Sequence, residues 1–234
     1  MATRATPLLC ELHAHTTWSD GAFELRELVD LYGRRGFDVL AVTDHATRNR
    51  SQVQAANVGA YLAAVEAEAI RARALYGLLI IPGLELTYDD PEPAEAAHAV
   101  AVGLRSFVDV AQGVEPMLRA ARAHGAALVA AHPYPLAEAA SSPRRTARFE
   151  VDRELLTPLI DRFELFNRDT LFSWVAEAGL PTVANGDFHR PEHLGGWKTM
   201  LPCAKSEEAV VSYLQSKRPT YLVRLDARAE LRAA

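Results

Sequence analysis

Short apolar runs alternate along the whole chain with longer segments in which apolar residues recur at helical spacing. Apolar runs bounded by turn residues predict buried strands, whereas the helical spacing predicts amphipathic helices. Alternation of the two is typical of a parallel sheet with crossover helices. Seven strands are predicted, over residues 8–13, 38–43, 78–86, 98–104, 127–131, 161–166 and 182–185.

Helices are predicted between or after these strands, over residues 24–35, 51–76, 115–124, 169–178 and 206–216. Four of them are followed directly by a glycine: Gly36, Gly77, Gly125 and Gly179. A left-handed residue that ends a helix favours glycine, so these positions mark helix ends. Ser206 precedes two glutamates, which suit the positive first turn of the last helix. A short final strand is predicted over residues 220–225.

Two longer stretches, residues 89–97 and 136–152, are predicted to be loops, since they contain prolines or a mixture of serine, proline and arginine. The alternation of strand and helix continues with the same character on both sides of each. Neither stretch therefore resembles a linker between independent domains. We predict a single α/β domain over residues 1–234.

Composition narrows the classes of partner. The chain is 49% hydrophobic and 24% charged, which is typical of a soluble globular protein. A net charge of −5 provides no broad basic surface, so we expect neither a membrane nor a long nucleic acid as partner. Cys10 and Cys203 are too few for a disulfide framework and fit a reducing cytosol. No run approaches the roughly 18 apolar residues of a membrane span, so a cytoplasmic location is expected.

Polar residues that can bind metals collect at the carboxyl ends of the predicted strands. The first strand ends in His13-Ala14-His15, and alternate residues of a strand share one face. The other ends carry TDH (43–45), GLE (83–85), AHP (131–133), ELFN (164–167) and GDFH (186–189). Strand ends of an α/β barrel converge on one mouth, where active sites are built. Imidazoles and carboxylates there suit Zn, Mn or Fe, and the lack of thiolates disfavours a closed structural zinc site.

At several single positions, a purely structural role is an alternative to metal or substrate binding. Asp20 in Ser19-Asp20-Gly21 is also suited to a turn or a helix cap. Trp18 is suited either to stacking on a nucleobase or to covering the rim of the site. Three arginines of the second predicted loop form either a basic lid over an anionic substrate or a solvated charged loop: Arg144, Arg145 and Arg148. His98 begins its predicted strand, so the strand-end rule does not select it.

The chain contains, in this order, the strings HAHTTWSDG (13–21), TDH, GLE, AHP and GDFH. Together they resemble the PHP family, named for polymerase and histidinol phosphatase, over about residues 8–222. The resemblance implies a distorted seven-stranded (βα)7 TIM-like barrel that holds two or three divalent metal ions, either Mn, Fe or Zn.

The resemblance also implies nine metal ligands by position. The first metal would be held by His13, His15, Glu85 and Asp187. Glu85 would bridge to a second metal that His98 and His132 also bind. A third would take Asp20, His45 and His189. Some family members carry a histidine at the position of Asp20, and an oxygen ligand there shifts metal preference towards Mn or Fe.

Other residues are candidates for supporting roles. Asp44 precedes a ligand, and Glu164 and Asn167 end the sixth strand, so we expect them to orient a ligand or to bind water or substrate. The candidates for substrate binding are Arg48, Arg190, Trp18 and His193, of which the two arginines suit a phosphate.

The function expected from this site is hydrolysis of a phosphate ester, in a small phosphorylated metabolite or a nucleotide, by metal-activated water. Two catalytic alternatives are a 3′–5′ exonuclease or nucleotide phosphodiesterase, and a histidinol-phosphate phosphatase. A non-catalytic alternative is a degenerate metal-binding interaction module, which is disfavoured because all nine positions hold residues able to bind metal. The substrate, monoesterase or diesterase action, the native metal and the oligomeric state stay open.

Overall fold

Strands and helices alternate along the chain in the computed structural model, which describes residues 6–47, 52–139, 141 and 146–226. The strands are β1 Leu8–Glu11, β2 Val39–Val42, β3 His45–Ala46, β4 Leu79–Tyr88, β5 Ala97–Val102, β6 Ala127–Ala131, β7 Arg162–Asn167, β8 Thr170–Leu171, β9 Thr182–Asn185, β10 Gly196–Leu201 and β11 Tyr221–Leu225. The helices are α1 Leu25–Arg34, α2 Val58–Tyr76, α3 Val114–Ala123, α4 Leu136–Ala139, α5 Arg148–Val151, α6 Arg153–Leu156, α7 Ser173–Glu177 and α8 Glu207–Gln215.

The strands form one curled sheet in the order β11-β10-β1-β2-β4-β5-β6-β7-β8, with β3 beside β4 and β9 beside β7. The segment after β9 pairs with the segment after β1, since the His15 amide donates to Phe188 O (2.8 Å) and the Phe188 amide to His13 O (3.1 Å). The curl therefore brings β9 back towards β1. Strands β1, β2, β4, β5, β6, β7 and β9 of this 11-stranded sheet correspond to the seven strands predicted from the sequence.

A uniform (βα)7 repeat is not what the structure shows, because β5 runs antiparallel to both β4 and β6. Residues 89–96 join β4 to β5 directly. A crossover to a parallel strand needs about a dozen or more residues, so this short loop forces the chain to reverse. The start of β5 consequently lies at the end of the sheet where β4 and β6 finish.

Two layers of apolar side chains cover the two faces of the sheet. The inner layer comes from alternate strand residues such as Cys10, Val129 and Val183, and α8 adds Tyr213 and Leu214 to it. The outer layer lies between the sheet and helices α1, α2 and α3. Arg162 is fully buried and donates from Nε to Leu214 O (2.9 Å) and from Nη2 to Tyr213 O (3.0 Å). It thereby satisfies carbonyls at the end of α8 beneath the barrel.

Several predicted element boundaries are confirmed, and others shift. The four glycines predicted to end helices all have positive φ, between 63° and 85°. The predicted last strand is present as β11. Residues 169–178 form a helix only from Ser173, because the chain first returns along β7 as β8. Strand β10 was not predicted, and residues 136–152 contain short helices. None of the helices in the described ranges has the length and apolar character needed to cross a membrane.

A buried ion pair fastens β10 to β1. Lys198 Nζ lies 2.8 Å from Glu11 Oε2, and both side chains are 0% exposed. Glu11 also accepts hydrogen bonds from the Gly186 amide (2.9 Å) and from the Tyr32 hydroxyl (3.1 Å). A Cβ on Gly186 would lie 2.2 Å from Lys198 Nζ, so the turn after β9 needs glycine to approach the pair this closely.

We expect Lys198→Met to lower the free energy of unfolding by about 3–5 kcal/mol, because it leaves the Glu11 carboxylate buried without its cation. Lys205→Met is the matched control, since Lys205 pairs with Asp38 at 2.7 Å with its side chain 35% exposed. An exposed pair contributes about 0–1 kcal/mol. Urea unfolding followed by circular dichroism measures both, and equal losses would contradict the anchoring role of Lys198.

Candidate metal centre

Five histidines surround the buried carboxylate of Glu85 at the mouth of the curled sheet. Strand β4 extends beyond β2, which places Glu85 at the centre of the mouth. The distances to Oε2 are 3.4 Å from His13 Nε2, 3.5 Å from His15 Nε2 and 2.8 Å from His45 Nδ1. The distances to Oε1 are 3.3 Å from His98 Nδ1 and 3.2 Å from His132 Nε2.

The ligand-type atoms fall into three neighbouring clusters, and within each they lie within 4.8 Å of one another. The first contains His13, His15 and Asp187, whose Oδ1 is 3.6 Å from both imidazole Nε2 atoms. The second contains Glu85, His98 and His132. His98 reaches it because β5 is reversed and pairs His98 with Ala131, the residue before His132.

The third cluster contains His15, Asp20, His45 and His189. Asp20 Oδ1 lies 3.2 Å from His189 Nε2 and 3.5 Å from His45 Nε2, with its side chain 49% exposed. The N-cap of α1 is Glu24, so Asp20 does not cap that helix. Its carboxylate faces the histidines from a turn instead.

The unsatisfied hydrogen-bonding atoms at the mouth indicate that its residues can bind divalent cations. His13 Nε2, His15 Nε2 and His98 Nδ1 are buried and lack a hydrogen-bond partner among the described residues. Buried polar atoms in folded proteins are nearly always hydrogen-bonded. Unpartnered ring nitrogens aimed at carboxylate oxygens are the arrangement that a shared cation satisfies.

The charges of the mouth shift the pKa values of its groups in different directions. Burial alone raises the pKa of Glu85, but His45 and His13 outweigh it and hold the pKa well below its usual range. Burial lowers the pKa of His13, yet Glu85, Asp187 and Glu164 raise it well above the ordinary value. Burial and the neighbouring His45 and His189 lower the pKa of His15.

Two further histidines hold their protons more strongly. Burial lowers the pKa of His98, but the hydrogen bond to Asp89 and the negative charge of Glu85 raise it to about 9. Burial also lowers the pKa of His189, which hydrogen bonds to Asp187 and Asp20 raise to about 9. A metal binds only the deprotonated nitrogen, so metal binding at these positions releases protons.

The PHP domain model matches residues 11–141, which is more than half of the chain. The chain belongs to the PHP domain family. The match includes His13, Glu85, His98 and His132, while Asp187 and His189 lie beyond it and are brought to the mouth by the fold.

A curated relative of this PHP domain is the DNA polymerase/3′-5′ exonuclease PolX of Bacillus subtilis, 29% identical over 217 residues. The aligned region covers 83% of this chain and 36% of PolX, so the chain spans about a third of that protein.

Two solved structures share the fold. One is a two-domain protein of Bacteroides vulgatus that contains a predicted PHP-like metal-dependent phosphoesterase, with a TM-score of 0.67 at 19% identity. The matched region covers 94% of this chain and 65% of the Bacteroides chain. The other is an amidohydrolase of Chromobacterium violaceum, with bound sulfate and no metal, with a TM-score of 0.53 at 17% identity. The matched region covers 92% of this chain and 97% of the amidohydrolase chain. At these identities the likeness establishes the fold alone.

Glu164 supports the mouth of the PHP domain from the barrel interior. Its Oε1 lies 2.9 Å from His13 Nδ1, and its Oε2 accepts from the His132 amide at 2.6 Å. The side-chain amides of Asn167 and Asn185 donate to the same carboxylate at 2.8 and 2.9 Å. A carboxylate behind an imidazole fixes the ring orientation and increases its basicity. Glu164 therefore orients His13, and Asn167 orients Glu164.

Asp44 was expected to orient the imidazole of the neighbouring His45, but its carboxylate contacts a different loop. Its carboxylate accepts from the Thr16 amide (2.8 Å), the Thr16 hydroxyl (2.9 Å) and the Ser19 hydroxyl (2.6 Å). The Nδ1 of His45 instead contacts Thr87 Oγ1 at 2.7 Å. Asp44 thus fixes the loop between His15 and Asp20 rather than the ring of the residue that follows it.

The predicted substrate-binding residues are spread more widely. Trp18 packs edge-on against Tyr61 with ring centroids 5.6 Å apart and is partly buried. His193 Nδ1 accepts from the His189 amide (3.1 Å), and burial together with Arg168 lowers its pKa to about 4. Neutral His193 therefore supports the backbone of His189. Arg190 is exposed beside it.

The choice between a basic lid and a solvated charged loop can be examined at Arg148, the one of the three arginines that the structure describes. Arg148 forms ion pairs with Glu95 and Asp152, so its charge is already neutralised within the loops. Arg144 and Arg145 lie outside the described residues, as does Arg48.

Besides Thr87 beside His45, sequence reasoning missed three residues that contact the centre. Arg168 has a φ of 57° and donates from Nη2 to Asp187 O (2.9 Å), with Asp187 Oδ2 at 3.3 Å. Asp89 Oδ1 lies 2.9 Å from His98 Nε2, and Thr146 Oγ1 lies 3.2 Å from His132 Nδ1. Asp89 opens the predicted loop 89–97 shortly after the predicted strand 78–86, and this was a signal for it. No sequence pattern marks the other two.

We expect Glu164→Gln to weaken metal binding by about 10–100-fold, since the loss of a carboxylate behind a ligating histidine has effects of this size. Equilibrium dialysis against a chelator-buffered metal measures the affinity. Glu177→Gln, which removes an exposed charge from α7, is the control and should leave the affinity unchanged. Wild-type affinity in Glu164→Gln would show that the carboxylate has no such role.

Proposed function

We propose that this PHP domain hydrolyses a phosphate ester of a small phosphorylated metabolite or nucleotide, with metal-activated water as the nucleophile. The observation that carries the proposal is the gathering of three clusters of histidines and carboxylates around buried Glu85. Family membership supports it, because a solved structure of the same fold contains a predicted PHP-like metal-dependent phosphoesterase.

The proposed ligands follow the three clusters with two changes: Glu85 is added to the first, because its Oε2 lies 3.4–3.5 Å from His13 and His15, and His15 is assigned to the first alone. The first metal would be held by His13, His15, Glu85 and Asp187, the second by Glu85, His98 and His132, and the third by Asp20, His45 and His189. Imidazole and carboxylate ligands suit Mn, Fe or Zn. Two or three ions are proposed, since Asp20 is the most exposed member of the set at 49%.

Divalent cations held by these residues would neutralise phosphate oxygens and supply water of lowered pKa as the nucleophile near neutral pH. The protein keeps Glu85 and Asp187 beside the imidazoles and fixes His13 through Glu164. A cavity of about 200 Å³ adjoins the clusters between Asp20 and Asp89. Its size suits a small ester, and the net charge of −5 supports the same choice over a long nucleic acid.

A second candidate is an exonuclease or nucleotide phosphodiesterase. It is favoured by the similarity to PolX, whose name includes 3′-5′ exonuclease and which aligns with 83% of this chain. Product analysis separates the two functions, because a diesterase releases mononucleotides from a dinucleotide whereas a monoesterase releases inorganic phosphate.

Protein purified without added metal is expected to carry two or three divalent ions per chain. It should release phosphate from at least one member of a panel of phosphomonoesters, lose that turnover with chelator, and regain it with Mn, Fe or Zn. Elemental analysis and phosphate release on one sample test this. Absence of metal together with inactivity after each metal is added would overturn the proposal.

Asp187→Asn is expected to reduce kcat by about 10²–10³-fold, the usual cost of removing one electrostatic contributor to a transition state. Asparagine tolerates the positive φ of 45° at this position, so the backbone turn should persist. Asp109→Asn is the control, since Asp109 is exposed and accepts from the Ala111 amide (2.9 Å). Full turnover in Asp187→Asn would contradict its proposed place beside the reacting phosphate.

A further inference from the structure

The second cluster is supported from two loops outside the barrel. His98 and His132 both direct one ring nitrogen at Glu85 Oε1, at 3.3 and 3.2 Å. The opposite nitrogen of His98 lies 2.9 Å from Asp89, and that of His132 lies 3.2 Å from Thr146. By contrast, His13 in the first cluster is supported by Glu164 on strand β7.

These contacts select the tautomer of each ring. The Asp89 carboxylate can only accept, so the neutral His98 ring that binds a metal keeps its proton on Nε2 and presents the Nδ1 lone pair to the centre. The Thr146 hydroxyl donates to His132 O at 2.8 Å, so its oxygen accepts from His132 Nδ1–H. His132 therefore presents the Nε2 lone pair to the same side of Glu85.

The two loops are joined to each other. The Ala147 amide donates to Pro93 O (2.9 Å), and the Arg148 amide donates to Ala96 O (3.1 Å). The Arg148 guanidinium forms an ion pair with Glu95. Residues 89–96 and 146–148 are thus one connected support, and both histidines of the second cluster depend on it.

We propose that Asp89 and Thr146 are positioning residues for the second metal, and that the joined loops determine its affinity separately from that of the first. This inference rests on the metal centre of the proposed function. Asp89 is 73% exposed, so solvent weakens its bond to His98, whereas Thr146 is buried. The two contacts act on different rings and can be removed one at a time.

The test is a Mn²⁺ titration of the metal-free 234-residue chain, with electron paramagnetic resonance to detect the spin-coupled pair of Mn²⁺ ions. In Asp89→Ala and in Thr146→Val the second binding step should weaken by about 10–100-fold, the usual effect of removing such a partner. The first step should stay close to wild type, and the coupled signal should vanish at stoichiometric metal. Asp89→Glu, which keeps the carboxylate, should restore much of the loss.

Each variant has a matched control in the same chain. Asp90→Ala removes an acid from the same loop whose carboxylate accepts from the Glu92 amide (2.9 Å) rather than facing a histidine. Thr157→Val removes a buried hydroxyl that has no hydrogen-bond partner among the described residues. Thermal unfolding of the metal-free forms checks folding, and Asp89→Ala carries the test if buried Thr146→Val unfolds.

The outcomes separate this inference from the proposed function. Wild-type protein that binds no second metal overturns the proposed centre and the inference together. Wild-type protein that binds two metals, with Asp89→Ala and Thr146→Val matching their controls, overturns only the positioning roles. Equal weakening of both binding steps also overturns them, because it would show a general disturbance of the mouth.

Discussion

A carboxylate with no exposure to solvent is costly unless cations or hydrogen-bond donors surround it. Glu85 meets this constraint with five imidazoles, whose nearest nitrogens lie 2.8–3.5 Å away. No single strand supplies five histidines at one point, so several strand ends must converge there. The reversal of β5 belongs to the same solution, because it brings His98 to the mouth from a strand that would otherwise present it at the opposite end.

The side chains that hold the histidines and carboxylates of the mouth in place come partly from strands and partly from loops. Glu11 and Lys198 fix the turn after β9 from within the outer apolar layer, and Glu164 fixes His13 from the barrel interior. Both carboxylates are fully buried and bonded to several elements. The supports of His98 and His132 come instead from loops, which open locally at lower free energy than strands. One side of Glu85 is therefore built on the barrel and the other on loops.

Most of the barrel was predictable because its signals are local. Short apolar runs predicted seven of the strands, and the strand-end rule selected the histidines that follow β1 and β6. Strand direction is a long-range property that apolar periodicity does not encode, so His98 needed the family resemblance. The shortness of residues 89–96 was the one local sign of reversal. The role of Arg148 and the contacts of Asp44 depend on partners distant in sequence, namely Glu95 and the loop after β1.

His45 connects the third cluster to the same central carboxylate. Its Nδ1 lies 2.8 Å from Glu85 Oε2 and 2.7 Å from Thr87 Oγ1, while its Nε2 faces Asp20 at 3.5 Å. An imidazole that donates from Nδ1 to a carboxylate keeps its Nε2 lone pair for a cation. Glu85 thus belongs to the second cluster, lies beside His13 and His15 of the first, and orients a ligand of the third. The three clusters therefore meet at the side chain that β4 places at the mouth.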